Sequence, residues 1–472
     1  RIPELVDHRN TMNETPTATG LPIAFHGTII HSLSPTHLQI LPNTFLLVDI
    51  AGNIQALVPN TDPSTINTLI VDNGYAPDVF PVKHLPSSSF LIPGFIDTHN
   101  HAPQWAQRGV WRGISLLDWL EKVTFAHEAK FEDAEYAKRT YSAAVDGLLR
   151  QGITTASYYA SKHLAATKIL AEVCRSKGQR ALVGRCNMNR HAPGWYRDLN
   201  AEVSVKETRE FIVWMREFNG TDDRPLVNAV ITPRFAISCD EEVLSGLGAL
   251  AAANPDLRIQ THFNEAQQEM EFTRQLFPDF AHEAELYTRF GLLSERSILA
   301  HCIFLREEEM ETLARLRCGV AHCPVPNTTM QAFMVAPVRE YLRRGIKVGL
   351  GTDSGGGHSI SMLEVMKQAF VVSTARATET RGADPALSVA ECFFLATLGG
   401  AQVCGLEERV GNFAVGKEFD ALEIRTGEGV EMSVMAPVEE EDSIEVIFEK
   451  FLMTGDDRNI AKVYVRGRAV KD

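Results

Sequence analysis

The sequence lacks the features that mark disulfide-stapled, secreted or membrane proteins. Its eight cysteines include no CxxC pair, and a chain of 472 residues is too long for a disulfide scaffold. There is no run of about 18 apolar residues that could span a membrane. The N-terminal segment has no apolar core of a signal peptide. We therefore expect reduced thiols in a cytoplasmic protein without a membrane partner.

Several catalytic motifs are also missing. The sequence has no P-loop, no GxGxxG after a first strand, no HExxH, and no HxE paired with PCxxC. These absences exclude the corresponding nucleotide-binding and metalloprotease folds, and the zinc deaminase fold that carries HxE and PCxxC. The excess of acidic residues, 60 against 46 Lys and Arg for a net charge of −14, argues against nucleic acid as a partner.

What is present divides into three zones. We expect residues 20–90 and 405–472 to form one small β-sandwich, and residues 91–404 a separate domain. Residues 1–19 are expected to be a disordered or expression-derived extension, with Met12 as an original start. Short β-type runs in the end zones support the sandwich; they are Ile23–Ile30, Thr44–Ile50, Gly52–Leu57, Thr68–Asp72, Ala421–Ile424 and Val463–Val465.

The middle zone alternates β-type runs with amphipathic helical stretches. Eight candidate strands occur in it, at 91–98, 152–159, 180–188, 226–235, 258–264, 297–303, 319–324 and 347–352. The amphipathic stretches include 115–150, 203–218, 307–317 and 361–377. Eight β-then-α units in this length predict an α/β fold, a (β/α)₈ barrel carrying the small β-sandwich.

Metal-competent side chains follow several of these strands, where a barrel builds its active site. His99 and His101 end the first strand, two residues apart, so both can face the barrel mouth. His262 ends the fifth strand, and Glu265 lies three residues further on. Taken singly, His99 and His101 could be surface histidines, and His262 with Glu265 could be an ordinary strand-to-helix cap.

Two further residues complete the set. His301 follows the sixth strand, where a lone histidine is more often structural, and Asp353 follows the eighth, where it could be only a turn former. Ligands from strands one, five and eight nevertheless converge in a closed barrel. Three histidines and one aspartate suit Zn²⁺, with Fe²⁺ as the second choice, and leave one position open for water.

This arrangement resembles the amidohydrolase superfamily, in its mononuclear deaminase branch, and within it the guanine deaminases. The supporting segments span residues 93–470. They include PGFIDTHNHAPQWAQRG (93–109), ITPRFAISC (231–239), HFNEAQQEM (262–270), GLGTDSGGGHSISML (349–363) and GNFAVGKEFDALEI (411–424). Trp105, Pro326 and His358 depart from the family pattern; they leave the implied metal ligands untouched and bear on the details of the pocket.

The resemblance implies hydrolysis of guanine to xanthine and ammonia in purine catabolism or salvage, by a homodimer with one Zn²⁺ per chain. The implied zinc ligands are His99, His101, His262 and Asp353. Glu265 would shuttle protons, His301 would position the attacking water, and Asp353 would accept its proton. The implied purine contacts are Gln104, Arg234 and Phe235, together with His262, Glu265 and Asp353. From the residues alone, Gln104 could be a loop amide, and Arg234 could pair with a structural carboxylate.

Alternative functions remain open at this point. Another mononuclear enzyme of this superfamily would act on a related aminopurine, pterin or triazine. Binuclear relatives need a bridging lysine after the fourth strand, where this sequence has Pro233-Arg234-Phe235. A non-catalytic scaffold on the same fold would be expected to have lost metal ligands, and this chain keeps all of them.

Overall fold

The chain folds into two sheets surrounded by helices. The computed structural model describes residues 22–110, 112–330, 334–427, 430 and 433–471, so the predicted extension at 1–19 lies outside the described residues. The strands are β1 (Ile23–Ser34), β2 (His37–Val48), β3 (Ile54–Val58), β4 (Val82–His84), β5 (Ser89–Pro93), β6 (Phe95–His101), β7 (Ile153–Tyr159), β8 (Arg180–Gly184), β9 (Cys186–Asn187), β10 (Val227–Pro233), β11 (Arg258–Phe263), β12 (Ser297–His301), β13 (Gly319–His322), β14 (Lys347–Leu350), β15 (Ala421–Arg425), β16 (Ile460–Val465) and β17 (Arg468–Lys471).

The helices lie mainly between the strands of the middle zone. They are α1 (Ile66–Asp72), α2 (Leu116–Trp119), α3 (Phe125–Ala129), α4 (Ala134–Arg150), α5 (Leu164–Lys177), α6 (Ala201–Asn219), α7 (Glu241–Ala253), α8 (Gln267–Leu276), α9 (Glu283–Arg289), α10 (Glu307–Arg315), α11 (Pro324–Thr329), α12 (Val338–Arg343), α13 (Met362–Glu379), α14 (Val389–Ala396), α15 (Leu398–Cys404) and α16 (Ile444–Thr454). No helix among the described residues is long and apolar enough to cross a membrane.

The eight strands predicted for the middle zone form a parallel barrel. Their order is β6-β7-β8-β10-β11-β12-β13-β14, with the short β9 extending the pairing along β10. The barrel closes where the hydroxyl of Thr98 donates to the carbonyl of Leu350 at 2.8 Å, and the N–H of Asp353 donates to the carbonyl of His99 at 2.8 Å. This architecture confirms the predicted (β/α)₈ fold and places the carboxyl ends of all eight strands around one opening.

Strands from the two ends of the chain join in the second sheet. Its order is β17-β16-β15-β5-β1-β2-β3, and β4 pairs with β1. The antiparallel pairing of β15 with β5 joins the C-terminal zone to the N-terminal zone. A separate sheet built from both ends of the chain confirms that the flanking β-type runs, predicted as a small β-sandwich, come together outside the barrel.

One of those runs is not a strand. Residues Thr68–Asp72 lie in α1, so that prediction is wrong. Just before this helix, Asp62 accepts the N–H of Ser64 at 2.8 Å, at the start of a 3₁₀ turn that leads into α1. Ile66 and Ile70, four residues apart, bury one face of the helix. Helical spacing of two isoleucines therefore outweighed the β-type composition of the run.

The predicted first barrel strand, at 91–98, is divided between the two sheets. Residues up to Pro93 belong to β5 in the second sheet, and β6 begins at Phe95. Gly94 lies between them, where a Cβ atom would come within 2.1 Å of the hydroxyl oxygen of Thr154. The domain boundary that the sequence predicts between residues 90 and 91 lies inside β5, which runs from Ser89 to Pro93.

A buried ion-pair cluster connects the second sheet with the barrel. Arg180, at the start of β8, donates to both carboxylate oxygens of Asp420 at 3.0 and 3.1 Å and to Glu418 at 2.6 Å. All three side chains are almost fully buried. Removing one partner from such a pair typically costs about 3–5 kcal/mol, so this cluster fixes the relative position of the two sheets. All eight cysteines lie elsewhere among the described residues, buried and unpaired.

Candidate active site

The first two candidate ligands end strand β6. His99 and His101 are buried and, being two residues apart on a strand, point to the same side. The carboxylate of Asp97, on the same strand, accepts the N–H and the hydroxyl of Thr352 at 2.9 and 2.6 Å. Asp97 therefore holds the end of β6 against the segment that carries Asp353.

Four donor atoms meet at the mouth of the barrel. Nε2 of His101 lies 3.0 Å from Nε2 of His262, which comes from β11. Oδ1 of Asp353 lies 3.1 Å from Nε2 of His99 and 3.6 Å from Nε2 of His101. The four donor atoms all lie within 4.8 Å of one another. Such a shell of three nitrogens and one oxygen has the size and the chemistry of a site for a single divalent metal ion.

The protonation of the histidines fits metal binding. Nδ1 of His262 lies 2.6 Å from the carbonyl oxygen of Arg234, so this nitrogen donates its hydrogen there and Nε2 keeps a lone pair for the cluster. Burial lowers the pKa of His99, His101 and His262 well below the ordinary value, which keeps these rings neutral at neutral pH. Nε2 of His99 is buried and has no hydrogen-bond partner among the described residues.

Asp353 is held in an unusual backbone conformation. Its φ of 57° lies in the left-handed region, which non-glycine residues seldom adopt and which is often found at functional sites. Burial raises the pKa of its carboxyl group to about 6. An ionised carboxylate here is therefore costly by itself, and a bound cation would compensate for its charge.

Glu265 and His301 form a second group beside the four donors. Oε2 of Glu265 lies 3.5 Å from Nε2 of His301. Nδ1 of His301 donates a hydrogen bond to Oδ1 of Asn327 at 2.8 Å. Nε2 of the same ring is therefore directed towards the site. Burial, with Asp353 and Glu269 nearby, raises the pKa of Glu265 well above its ordinary value. A carboxyl group with a raised pKa holds a proton more readily than an exposed one, as a general acid must.

A cavity opens next to these groups. His101, His262, Glu265, His301 and Asp353 line one side of it. The other walls are polar at Gln104 and Arg234 and apolar elsewhere. The apolar lining residues are Leu116, Trp119, Leu120, Phe235 and Met330. Apolar and aromatic walls with a few polar groups are typical of a site for a small-molecule ligand.

Gln104 and Arg234 share a buried partner. The guanidinium group of Arg234 donates to both oxygens of Glu128, at 2.7 and 3.1 Å, and the amide nitrogen of Gln104 donates to the same carboxylate at 2.9 Å. Arg234 therefore pairs with a carboxylate, as one of its two interpretations expected, and also lines the cavity, as the other required.

The structure brings together every candidate residue that the sequence indicated. It adds Glu128 and the apolar wall residues Trp119 and Met330, which sequence reasoning missed. Glu128 lies in the stretch 115–150, where a charged residue is expected on the solvent-exposed face of an amphipathic helix, so no local signal distinguishes it. The three residues that depart from the family pattern, Trp105, Pro326 and His358, are not among those that line the cavity.

Comparison with known proteins shows the family of this chain. Residues 90–470 match the model of the amidohydrolase family. A guanine deaminase from Dictyostelium discoideum is 38% identical over 95% of this chain and 98% of its own length, and one from Rattus norvegicus is 36% identical over 95% and 97%. The crystal structure of guanine deaminase from C. acetobutylicum with bound guanine in the active site is 31% identical, covers 95% of this chain and 99% of its own, and superposes with a TM-score of 0.84. The chain therefore belongs to the amidohydrolase family and, within it, to the guanine deaminases.

Proposed function

We propose that this protein deaminates guanine hydrolytically to xanthine and ammonia, at the cluster of His99, His101, His262 and Asp353, with one Zn²⁺ per chain. The observation that carries the proposal is the position of Glu265. Its carboxyl group lies next to the four donors and lines the same cavity as Gln104 and Arg234. A purine held by Gln104 and Arg234 would thus place its reacting carbon beside Glu265, the acid–base group, and beside the metal site.

The donor set supports zinc, and Fe²⁺ remains the second choice. Three neutral imidazoles and one carboxylate leave a coordination position free for water. Zinc bound by such ligands lowers the pKa of its water towards about 7. Nδ1 of His262, held by the carbonyl of Arg234, would fix the orientation of that ligand ring.

The proton transfers would fall to residues of the chain itself. Glu265 would deliver a proton to the ring nitrogen N3 of guanine as water adds to C2. A second proton, on the exocyclic amine, lets ammonia leave and gives xanthine. Asp353 would accept the proton of the attacking water, and His301 would position that water. Asn327 holds the His301 ring with Nε2 facing Glu265.

Release of ammonia from a panel of bases tests the proposed function. The panel is guanine, adenine, cytosine, 8-oxoguanine and ammeline. We expect guanine to be deaminated far better than adenine or cytosine, because a site built to hydrogen-bond a substrate group rejects analogues that lack it. Turnover of adenine equal to that of guanine would contradict this assignment. Preference for ammeline, a pterin or another aminopurine would support the alternative of a related aminohydrolase.

Arg234→Ala should weaken substrate use without removing the metal. We expect kcat/KM for guanine to fall by at least about a hundredfold, since this residue supplies N–H donors to the cavity. The carbonyl that orients His262 belongs to the backbone and remains, so zinc should be retained. The variant should also lose roughly 3–5 kcal/mol of unfolding free energy, because the buried Glu128 is left without a positively charged partner.

Arg339→Ala is the matched control for that change. Arg339 forms an ion pair with Glu391, and neither residue lines the cavity. Arg339→Ala should lower the free energy of unfolding and leave kcat/KM for guanine unchanged. Unchanged guanine kinetics in Arg234→Ala would make Arg234 a structural residue only.

The remaining assignments extend beyond the site. We propose a cytoplasmic enzyme of purine catabolism or salvage that acts as a homodimer on the free base, with no nucleic-acid partner. Eight buried, unpaired cysteines support a reducing compartment, and the net charge of −14 supports a small-molecule substrate rather than a polyanion. The dimer follows from the family resemblance, and sedimentation of the purified protein would test it.

A further inference from the structure

We propose that Glu128 is a positioning residue that fixes the hydrogen-bonding pattern of the base pocket. By fixing that pattern it would select a base with adjacent ring N–H and carbonyl groups over a base that lacks this pair. The inference rests on the proposed roles of Gln104 and Arg234.

Glu128 lies at the centre of a fully buried set of hydrogen bonds. Its side chain, on α3, is 1% exposed. Oε1 accepts the amide nitrogen of Gln104 at 2.9 Å and Nη2 of Arg234 at 3.1 Å. Oε2 accepts Nη1 of Arg234 at 2.7 Å and the hydroxyl of Tyr196 at 2.9 Å. Three neighbours from separate parts of the chain therefore depend on one carboxylate.

This carboxylate determines which end of the Gln104 amide is left for another partner. An ionised carboxylate only accepts hydrogen bonds, so the NH₂ group of Gln104 must face Glu128. The carbonyl oxygen Oε1 of Gln104 is left buried and without a partner among the described residues, on a side chain that lines the cavity. Gln104 thus offers a ligand an acceptor.

The same carboxylate orients the guanidinium group as a donor. Arg234 has five N–H groups, and Glu128 binds one from each terminal nitrogen. Phe125, also on α3, lies under the guanidinium plane, with 5.4 Å from its ring centre to Cζ of Arg234. Nη1 also lies 3.9 Å from Sγ of Cys186 and from Sδ of Met188, so the N–H of Nε and the second N–H of Nη2 are the ones left for an acceptor on a ligand in the cavity that Arg234 lines.

An acceptor beside a donor complements one edge of guanine. Guanine in its lactam form carries an N–H at N1 next to the carbonyl oxygen O6, so Gln104 can accept from N1 while Arg234 donates to O6. Adenine presents the reverse, an acceptor at N1 and a donor amine at C6. 2-Aminopurine has the same leaving amine at C2 as guanine, but its N1 is an acceptor and it has no O6. Guanine and 2-aminopurine therefore differ in the edge that Glu128 is proposed to select.

The test compares kcat/KM for guanine and for 2-aminopurine in the zinc-loaded wild type and in Glu128→Gln. A glutamine at 128 has an NH₂ group in place of one oxygen, and in either orientation it faces an Arg234 donor. Gln104 is then free to turn its amide. We expect the ratio of kcat/KM for guanine to that for 2-aminopurine to fall by at least about tenfold, with zinc content unchanged.

Glu418→Gln is the matched control. Glu418 is also a buried glutamate held by arginines, accepting Arg180 at 2.6 Å and Arg409 at 2.7 Å, but it lies at the junction of the sheets. It should lose stability and keep the substrate ratio. If Glu128→Gln fails to fold, Glu128→Asp preserves the charge opposite Arg234 but is too short to hold all partners, so the ratio should fall there as well.

The outcomes separate this inference from the proposed function. If the wild type releases no ammonia from guanine, the proposed function fails. If the wild type deaminates guanine, but the substrate ratio in the Glu128 variants stays within about twofold of the wild-type value, Glu128 is a structural residue and the inference is overturned.

Discussion

Glu265→Gln is expected to lose about two to four orders of magnitude in guanine turnover while it keeps its zinc and still binds guanine. Glutamine has nearly the same shape but cannot carry a proton. The four donor atoms of the cluster come from other residues, so the metal site does not need Glu265. Single-turnover kinetics together with metal analysis of the same sample would measure both effects.

Glu391→Gln provides the control for this change. Glu391 is a largely buried glutamate that caps α14 and pairs with Arg339, outside the cavity. This variant should keep full guanine turnover. Loss of zinc from Glu265→Gln would make Glu265 a ligand or structural residue. Near wild-type turnover with zinc retained would assign the proton transfer elsewhere, and His301 would be the first residue to test.

His262→Ala should lose both zinc and activity with the fold largely intact. Nε2 of His262 lies 3.0 Å from Nε2 of His101 and is one of the four donors of the cluster. Guanine turnover should fall by at least about a thousandfold, since unassisted water has a pKa of about 15.7 rather than about 7. The barrel does not need metal to form, because a chain of this length buries a sufficient apolar core. Metal content, circular dichroism and ammonia release would measure the three properties.

His31→Ala is the corresponding control. His31 is a buried histidine on β1, in the second sheet, where it accepts the N–H of Phe413 at 3.0 Å. It should keep zinc and turnover. A His262→Ala protein that retains one zinc per chain and full activity would place the metal elsewhere.

The barrel and its candidate ligands could be predicted because position along a strand carries the information. His99, His101 and His262 lie at strand ends, and a closed parallel barrel brings all such ends to one opening. Asp353 follows the eighth strand, which closes against the first, so its approach to His99 follows from the topology. The catalytic roles of these residues remain predictions for the variants above.

Other features could not be predicted because they depend on burial that only the packed structure defines. Glu128 resembles a solvent-exposed residue of an amphipathic stretch, yet it is buried among Gln104, Tyr196 and Arg234. The stretch around it is interrupted by a π-helical turn at Leu120–Thr124 and by the start of α4, where Asp133 accepts the N–H of Glu135 at 2.9 Å. Sequence periodicity indicated one amphipathic region and gave no sign of these breaks.

The central claim is that one zinc ion, held by the four donors, supports hydrolysis of guanine. The most direct measurement is guanine turnover of chelator-treated protein as zinc is added back, with bound zinc determined in the same samples. The account predicts that the metal-free protein is folded and inactive, and that turnover rises linearly and reaches its plateau at one zinc per chain. A plateau at two zinc ions per chain, or full turnover without metal, would contradict it.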